Sequence, residues 1–487
     1  MSRRIEPEFV GRTYDDFLFR PQCGHVESRR EVSLRGGLSR QLNLELPIVS
    51  ANMDSVTGTR MAKAMAFEGG IGILHRAMPI EHQAQSVEKV KRSHGHVVDK
   101  PLCLPRGTTI REAREFTRKH NITGILIEEE RGSGILAGLL SNRDMPWTPG
   151  HDDARVEEFM TPFAELVTGH AGLLVDEAER ILYKHRIEKL PLVDSNRRIR
   201  GLITKQDIIL SRQRPGSSKD GKGRLLVGAA IGARGDYLER AAALLEAGAD
   251  VLVIDIAHGH SEVMKHAVEA LRGRFGSAEL ICGNVGTAEG AAFLRDLGAD
   301  AIKVGIGPGR GCRTRLETAA GVPQLQAIRE AWCAVGDEVP IIADGGVKDD
   351  KDVFLALVCG ASSVMLGSML SGTDESPGRV IEDPGTGQKR KIYRGMTSPQ
   401  AVFEALYDES EEALETALDV PAEGQEVQIP YKGSVIELLH RIRGHVRSAV
   451  SYAGSDSLAT VRSRVLPEPL RYLIPLSEAS RQESYDR

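Results

Sequence analysis

The chain has few cysteines, and none of them are spaced like a metal or redox site. Its 487 residues include six cysteines, and no two of them form a CxxC pair. Sparse, irregular cysteines argue against a disulfide framework and against a zinc site, and they favour a reducing compartment. Long apolar runs are also missing, since no stretch approaches the ~20 residues needed to cross a bilayer. The N-terminus lacks the apolar core of a signal peptide, so we expect a cytoplasmic protein without a membrane partner.

A strong excess of either charge is absent as well. The formal net charge is −5, which gives no support for nucleic-acid binding. Apolar residues make up 41% of the chain and charged residues 27%, as in soluble globular proteins. Because the chain is too long for one ordinary domain, we expect two or three.

Short apolar segments alternate with amphipathic helical segments over most of the chain. A typical helical segment is YLERAAALLEA, which begins at Tyr237. Repeated βα units of this kind predict a parallel sheet with both faces covered, and a count of about eight favours a closed (β/α)8 TIM barrel. The predicted strands lie at 47–57, 69–76, 225–230, 251–256, 279–282, 300–304, 339–343 and 363–366. Functional residues should follow the strands, and the candidates there are Asn52–Asp54, Asp255, Asn284, Cys312, Asp344 and Ser368.

Residues 98 to 213 interrupt this rhythm and contain an internal repeat. Each copy ends in a G-x-x-[ST]-x-x-D motif that follows a strand and opens a helix. The hydroxyl and the aspartate can cap the helix, or they can hold a ribose, and the motif alone leaves both open. The motif residues are Gly138, Ser141 and Asp144 in the first copy and Gly201, Thr204 and Asp207 in the second. We therefore predict a barrel formed by residues 1–97 and 214–487, with an inserted regulatory domain at 98–213.

A predicted strand at 301–304 runs into a Gly-Pro-Gly loop that presents Cys312. A lone thiol in a glycine-rich loop at the carboxyl end of a parallel strand is a common way to place a nucleophile. A free cysteine can equally be a small buried apolar residue. Both interpretations of Cys312 and its loop (305–315) stay open at this point.

Residues 371 to 433 form a long polar excursion. The segment SGTDESPGRVIEDPGTGQKRK is rich in glycine, proline and charge, which is typical of a loop or hairpin. An acidic stretch from Ala401, with helical composition, follows it. A long excursion beside a barrel mouth is typical of an active-site lid, and we use the name lid for residues 371–433.

Several motifs together resemble one enzyme family, IMP dehydrogenase and GMP reductase. They occur in the family's order from about residue 10 to residue 455. The repeat at 98–213 resembles a pair of CBS modules, inserted where that family inserts them. The matching motifs include TYDDFLFRP, PIVSANMDSVT, GGIGILHR, ADVLVIDIAHGHS, KVGIGPGRGCRTR, IIADGGVKDDKDV, GASSVMLGSMLSGTDESPG, YRGM and PYKG.

The resemblance implies a covalent mechanism on a purine nucleotide, GMP or IMP. The thiolate of Cys312 would attack C2 of the purine, and the adduct would exchange a hydride with NADPH or NAD. The resemblance implies binding of the nucleotide by Asp344, Gly346, Gly367, Ser368, Tyr393, Gly395, Met396 and Glu423. It implies contact with the nicotinamide cofactor for Asp255, Asn284 and Lys303.

The same resemblance implies further ligands and an assembly. The carbonyls of Gly307, Gly309 and Cys312 match a K⁺ site, although water could also cap a bend of free carbonyls. The CBS pair implies ATP or GTP as regulators, and the family forms homotetramers and octamers. His258 and His260 could suggest a metal, but no third ligand follows them at metal spacing.

The lid bears on the direction of the reaction. Dehydrogenases of this family release the adduct with an Arg-Tyr pair, whose positions here hold Glu409 and Ser410. Residues 397 to 430 contain no arginine. Thr314 and Glu375 match a pair that handles departing ammonia in the reductases.

We therefore favour GMP reductase, with two alternatives. The CBS insertion is commoner in IMP dehydrogenases, which keeps that activity open. A nucleotide-sensing protein with weak catalysis is the alternative from another class. Two substitutions in the cysteine loop are unusual for the family, Arg310 in place of a phosphate-binding serine and Arg313 beside the thiol. Arg310 could still meet a phosphate, and a cation beside Cys312 should favour its thiolate.

Overall fold

The chain divides into two compact units, one inserted into the other. The first consists of residues 1–93, 216–220 and 225–487, and the second of residues 94–215 and 221–224. The computed structural model describes residues 4–93, 98, 101–120, 122–146, 150–206, 208–209, 214–398, 401 and 423–485.

The first unit is built on eight parallel strands that close into a barrel. Each strand pairs with the next in sequence, and β8 returns to β1, where Val364 lies opposite Ile48. The insertion falls between β2 and β3, which still pair directly through Gly72 and Val227. The strands are Ile48–Ser50 (β1), Ile71–Leu74 (β2), Val227–Ile231 (β3), Val251–Asp255 (β4), Leu280–Val285 (β5), Ala301–Val304 (β6), Ile341–Asp344 (β7) and Ser363–Leu366 (β8).

One main helix follows each strand and covers the outside of the barrel. Several of these helices begin at a Ser or Thr whose hydroxyl accepts a backbone N–H of the first turn, as Thr287 does from Gly290. The helices are Thr59–Phe67 (α1), Ile80–Lys91 (α2), Tyr237–Glu246 (α3), Glu262–Arg274 (α4), Ala288–Asp296 (α5), Gln324–Val335 (α6), Asp350–Cys359 (α7) and Val435–Tyr452 (α8).

The strands are buried on both faces, which explains their composition. Every residue of β2, β3, β6 and β8 is buried, because the barrel interior covers one face and the helices cover the other. A strand in this position needs a continuous apolar run and not an alternating one. The sequence segments IGIL (β2) and VGAAI (β3) have that pattern.

The first unit has further elements besides the barrel strands and their helices. The N-terminal strand Phe17–Phe19 pairs antiparallel with Leu473–Pro475 near the C-terminus. The lid contributes a three-stranded antiparallel sheet of Ile381–Glu382, Lys389–Arg394 and Glu426–Pro430. The other strands and α-helices are Gly36–Gly37, Asn43–Leu44, Thr314–Thr318, Leu458–Val465 and Glu478–Tyr485. Among the residues that the structure describes, no helix is long and apolar enough to cross a membrane.

The inserted unit contains the two predicted copies, each with a helix followed by an antiparallel strand pair. The predicted fold class, a (β/α)8 barrel with an inserted tandem CBS unit, is confirmed. In the first copy the carboxylate of Asp144 accepts the backbone N–H of Ser141 at 2.8 Å, which is the capping interpretation of that motif. Asp207 of the second copy lies outside the described residues. The elements are Cys103–Pro105, Ile110–His120, Gly124–Glu128, Leu136–Ser141 and Thr161–Pro162, then Val175–His185, Lys189–Val193 and Ile199–Thr204.

The packing of α1 on β2 yields a first testable prediction. A Cβ atom on Gly72 would stand 2.6 Å from the Cα of Ala62 in α1, a distance that backbone atoms cannot relieve. We expect Gly72→Ala to lower the free energy of unfolding by about 1–3 kcal/mol, as overpacking does. Thermal and urea unfolding of the purified variant measure the change.

Gly273 in α4 provides the matched control. A Cβ atom there would meet nothing within 4 Å. Gly273→Ala should therefore raise stability by about 0.5–1 kcal/mol, because alanine is the better helix former. Equal effects of the two substitutions would contradict the packing described for α1 and β2.

Candidate active site

A cavity of about 830 Å³ opens at the carboxyl ends of the barrel strands. Residues at the ends of seven of the eight strands, or directly after them, contribute to its wall, together with the lid. This is the end of a (β/α)8 barrel at which ligands bind. The volume suits a mononucleotide together with part of a second ligand.

Most residues predicted for the site line this one cavity. Glu375 is the exception and is discussed below. The predicted residues in the cavity wall are Asp255, Asn284, Lys303, Gly307, Gly309, Cys312, Thr314, Asp344, Gly346, Gly367, Ser368, Tyr393, Gly395, Met396 and Glu423.

A buried lysine lies at the floor of the cavity. The ammonium group of Lys303, on β6, donates to Asp255 at the end of β4 at 2.7 Å and to Asp344 at the end of β7 at 2.8 Å. Asn52 donates to the other oxygen of Asp255 at 2.8 Å, and Asn284 donates to Asp344 at 2.9 Å. The side chain of Lys303 is only 3% exposed, so these hydrogen bonds replace its hydration.

The charges of this cluster stabilise one another. Burial alone would lower the pKa of Lys303, but the carboxylates of Asp255 and Asp344 raise it above its usual range. Burial would likewise raise the pKa of Asp255, but Lys303, Asn52 and Arg76 together lower it. The lysine is therefore a fixed cation and Asp255 a fixed anion near neutral pH.

The loop after β6 places Cys312 in a chain of polar contacts. The thiol of Cys312 lies 3.2 Å from the hydroxyl of Thr314. That hydroxyl in turn donates to a carboxylate oxygen of Glu423 at 2.7 Å. Thiol, hydroxyl and carboxylate thus form a continuous route along which a proton can leave the sulfur.

These hydrogen bonds give Thr314 a different partner from the one that the sequence suggested. Glu375 does not approach it, and lies at the start of α8, where it accepts the backbone N–H of Val435 at 2.8 Å and the hydroxyl of Ser434 at 3.3 Å. A carboxylate at a helix N-terminus is stabilised by the helix dipole, so these contacts stabilise the start of α8. Glu423, predicted only to contact the purine edge, is the carboxylate that Thr314 meets.

Two arginines close to Cys312 behave differently. Arg313, the cation predicted to act on the thiol, pairs with Glu317 at 2.6 Å. The side chain of Arg315 instead contacts the carbonyls of Ile306 and Val322. Burial lowers the pKa of Arg315, and the nearby sulfur of Cys312 opposes that shift. The sequence showed both arginines but not which of them has a carboxylate neighbour.

Backbone hydrogen bonds also join the lid to the cysteine loop. The N–H of Arg313 donates to the carbonyl of Glu423 at 2.7 Å, and the N–H of Gln425 to Gly311 at 3.0 Å. A Cβ atom on Gly311 would stand 2.9 Å from the amide nitrogen of Gly395, and one on Gly424 would stand 2.5 Å from that of Ser398. Glycine is therefore required on both sides of this seam, which we call the glycine seam (Gly311, Gly395 and Gly424).

The opposite wall of the cavity consists of glycine turns and one tyrosine. Gly345 and Gly346 follow β7 with φ angles of +91° and +79°, and Gly367 and Ser368 follow β8. Tyr393 is 4% exposed, and its burial, with Asp344 and Cys312 nearby, raises its pKa. Its hydroxyl therefore stays protonated and can donate a hydrogen bond to a bound anion.

Lys432 and Arg76 also line the cavity and were not predicted as site residues. Lys432 belongs to the PYKG motif, and its ammonium group donates to the carbonyls of Ser368 and Met369 at 2.7 and 2.9 Å. Arg76 follows β2 in the GGIGILHR motif. Both motifs were visible in the sequence, but nothing in them indicated which side chain faces the cavity.

Metal ligands of the usual kinds do not converge here. Within the described ranges, no group of three or more His, Cys, Asp or Glu side chains could hold a metal ion. His260 packs against Phe293, with ring centroids 4.8 Å apart, and His258 lies 6.3 Å from His260.

Comparison with protein families agrees with this geometry. Residues 11–485 match the family model described as IMP dehydrogenase / GMP reductase domain. The chain belongs to this family. Its members are NAD(P)-dependent oxidoreductases of purine nucleotides, and the cavity is the candidate active site.

Similar proteins within the family have different names. Inosine-5'-monophosphate dehydrogenase of Nitrosopumilus maritimus is 45% identical over 453 residues, which are 92% of this chain and 93% of that protein. The enzyme of the same name from Aquifex aeolicus is 43% identical over 457 residues, 93% and 92% of the two chains. The crystal structure of a GMP reductase variant from Trypanosoma brucei with guanosine 5'-monophosphate superimposes with a TM-score of 0.88 at 38% identity, covering 98% of this chain and 97% of that one.

The buried lysine yields a second prediction. Lys303→Met keeps the side-chain length but leaves Asp255 and Asp344 without their cation. We expect a loss of about 2–4 kcal/mol of unfolding free energy at neutral pH, the range for breaking a buried ion pair whose carboxylates partly face a cavity.

The pH dependence tests the cause. In the native protein Asp255 has a lowered pKa, so the contribution of the pair is present above the unfolded pKa of about 4 and is lost below it. The difference in melting temperature between native protein and variant should therefore persist from pH 7 to about pH 4 and shrink as the pH falls further, through the lowered pKa of Asp255. Arg92→Met, which removes an exposed pair with Glu88, should have little effect at any pH. A pH-independent deficit in Lys303→Met would contradict the electrostatic explanation.

Proposed function

We propose that the protein is a GMP reductase, which converts GMP, NADPH and a proton to IMP, ammonia and NADP⁺. The contact between Thr314 and Glu423, next to Cys312, is the observation that supports the proposal most directly. Release of ammonia from C2 needs a proton donor beside the reacting carbon, and this chain of groups can supply one.

The lid provides the second argument for this direction. A dehydrogenase has to activate a water molecule that attacks the adduct, and in this family an arginine of the lid has that role. Residues 397 to 430 contain no arginine. Glu409 and Ser410, at the positions of the Arg-Tyr pair, lie outside the described residues. A carboxylate and a hydroxyl cannot replace a guanidinium group as the base by the same chemistry.

The polar chain suggests how the first half-reaction is balanced. The proton of the Cys312 thiol moves through the hydroxyl of Thr314 to Glu423, and the sulfur attacks C2 of the purine. The C2–S bond forms as the C2–N bond breaks. Glu423, now protonated, gives its proton to the departing amine, which leaves as ammonia. The electron pair of the C2–S bond returns to sulfur when a hydride arrives at C2.

The floor of the cavity is arranged to hold the ribose. Both hydrogen bonds that Asp344 accepts from Lys303 and Asn284 end on Oδ2. The other oxygen, Oδ1, can accept the ribose hydroxyls of the nucleotide. The phosphate would then lie on the backbone amides of Gly346, Gly367 and Ser368, with the Tyr393 hydroxyl as a further donor. The proposed base contacts are Gly395 and Met396.

The nicotinamide cofactor would lie on the side of Asp255, Asn284 and Lys303. When bound, it supplies or accepts the hydride. The buried Oδ1 of Asn284 has no hydrogen-bond partner among the described residues, so it can accept an N–H of a carboxamide. The fixed charges of Asp255 and Lys303 would orient the ring beside C2.

We also propose K⁺ at the carbonyls of Gly307, Gly309 and Cys312. The carbonyl of Gly309 already accepts the N–H of Cys312 at 3.0 Å, which leaves it one lone pair. Within the described residues, no backbone hydrogen bond uses the carbonyls of Gly307 or Cys312. The donor set is therefore one of neutral oxygens, which suits a monovalent cation.

IMP dehydrogenase is the second candidate, because the curated relatives with 43–45% identity have that name. One assay separates the two activities. Purified protein is supplied with GMP and NADPH, and separately with IMP, NAD⁺ and K⁺, while the absorbance of reduced nicotinamide is followed. We expect NADPH consumption that depends on GMP. Strong NADH formation with IMP would contradict the reductase assignment.

The two glutamates provide a matched pair for a third prediction. Glu423→Gln should lower kcat of the preferred reaction by about 100-fold or more, because the proton route ends without a base. Glu375→Gln removes the same charge from the start of α8 and should affect thermal stability more than kcat. A larger kcat loss for Glu375→Gln would restore the pairing that the sequence suggested.

Thr314 is tested in the same assay. Thr314→Val should cause a kcat loss comparable to that of Glu423→Gln, and Thr314→Ser should restore most of it, since serine keeps the hydroxyl. Thr318→Val removes a hydroxyl from the same short helix, where it bonds only backbone groups, the carbonyl of Thr314 and the N–H of Ala320. This variant should leave kcat close to the native value.

Regulation by ATP or GTP at the inserted unit is a separate proposal. A cavity of about 480 Å³ in that unit is lined by Arg114, Arg118 and Asn142 among others, a polar surface that suits a nucleotide. Adding either nucleotide should change activity or the assembly state, which we expect to be a tetramer or octamer. An unaltered response after deletion of residues 98–213 would contradict the assignment.

A further inference from the structure

An ion pair joins the loop after β1 to the lid strand that ends at Arg394. The guanidinium of Arg394 donates from Nε and Nη2 to the same carboxylate oxygen of Asp54, Oδ2, at 2.9 and 2.5 Å. Only 13% of the arginine side chain and 12% of the aspartate side chain are exposed. Both residues lie behind the wall of the active-site cavity and do not line it.

The residues next to this pair in sequence do line the cavity. In the lid strand, Tyr393 faces the cavity and Arg394 faces away from it, as successive side chains of a strand do. Met53 of the β1 loop is a cavity residue as well, and so are the residues that follow Arg394. We call residues 395–397 the base loop, because the proposed contacts with the purine base lie there.

The ion pair is the strongest of the contacts between the two segments. The backbone N–H of Arg394 donates to the hydroxyl of Ser55 at 3.3 Å, and the backbone N–H of Asp54 donates to the sulfur of Met396 at 3.4 Å. A thioether sulfur is a weak acceptor. Because the N–H that reaches Met396 belongs to Asp54 itself, a displacement of this aspartate would also displace the base loop.

The surroundings of the pair contain little water. His75, which follows β2, lies close to both charges, and burial lowers its pKa to about 4, with Asp54 opposing the shift and Arg394 adding to it. The imidazole is therefore neutral near pH 7 and does not compete for either charge. In such surroundings two opposite charges attract more strongly than at a surface, and removing one partner leaves the other uncompensated.

We propose that Asp54 and Arg394 are positioning residues, whose ion pair holds the base loop where it can contact the purine. The inference rests on the proposed function, in which Gly395 and Met396 contact the base. Among the residues that the structure describes, no group accepts the backbone N–H of Met396, so this N–H can donate to the base. A backbone group has no rotamer with which to follow a displaced ligand. The pair would therefore control affinity for the base without touching any part of the nucleotide.

Two ligands, one with and one without a base, test the proposal. IMP and ribose 5-phosphate both have a ribose and a phosphate, and only IMP has the purine. Binding of each is measured as protection of Cys312, which lines the cavity, from alkylation by iodoacetamide. Mass spectrometry of the peptide that contains this cysteine follows its alkylation alone. The measurement reports binding in the barrel and needs neither cofactor nor turnover.

The ratio of IMP affinity to ribose 5-phosphate affinity is the quantity of interest. Arg394→Gln and Asp54→Asn should each lower this ratio about tenfold, the effect of losing one hydrogen bond to the base. Arg394→Lys should lower it less, because lysine keeps the charge without the planar fork. The double variant should show no larger fall than the single variants, since both break the same contact. A fall equal to the product of the two single falls would overturn the proposal.

Lys389→Met is the matched control, because it removes a cation from the same lid strand. Lys389 is exposed and lies 4.0 Å from Glu382, away from the base loop. The control should keep the native ratio. A native ratio in both single variants, equal losses for the two ligands, or the same fall in Lys389→Met would overturn the proposal. Melting temperatures of all variants show whether the fold is retained.

The result is separate from the direction of catalysis. A protein that failed to reduce GMP could still show that protection by IMP depends on the ion pair. A protein that reduced GMP, with the native ratio in both single variants, would retain the proposed activity and lose this inference. If IMP did not protect Cys312 in the native protein, both the proposed position of the nucleotide and this inference would be contradicted.

Discussion

The ammonium group of Lys303 is the interaction on which the mouth of the barrel depends. It joins Asp255 from β4 to Asp344 from β7, and Asn52 and Asn284 extend the cluster to β1 and β5. The ends of β1, β4, β5 and β7 are thereby linked through the ammonium group of one lysine. Without it, two carboxylates would repel each other in a poorly hydrated site, and neither could present an oxygen at a defined position. In the proposed function, ribose recognition by Asp344 and orientation of the cofactor by Asp255 would both depend on this one lysine.

A second dependence links the lid to the nucleophile. Glu423 lies at the end of the lid, yet it completes the proton route of Cys312, a residue of the barrel. The backbone hydrogen bonds between Arg313 and Glu423 and between Gln425 and Gly311 hold the two segments in register. A change in the position of the lid would therefore also change the polar contacts next to the sulfur of Cys312. A family that shares one barrel can change its reaction by changing what the lid brings to the thiol.

The sequence predicted the barrel and most of the site because both depend on local patterns. Continuous apolar strands at regular spacing indicate a parallel barrel, and polar residues just after such strands meet at one end of it. The partner of Thr314 could not be predicted in this way, because it lies in a distant segment of the chain. Two glutamates of the lid were available, and the choice depends on where a long excursion returns to the barrel. Composition cannot determine where the chain returns, and the structure places Glu423, not Glu375, in contact with Thr314. The same applies to Arg313 and Arg315, which differ by whether a carboxylate is nearby.

The glycine seam restricts how this enzyme can diverge. Gly311, Gly395 and Gly424 bring two backbones together without a side chain between them, and any replacement would separate the lid from the cysteine loop. A side chain at any of these three positions could be accommodated only if a backbone segment moved. The distance between the lid and the thiol is therefore set by the absence of side chains, and substitution at the seam would change that distance before it changed any contact with a ligand.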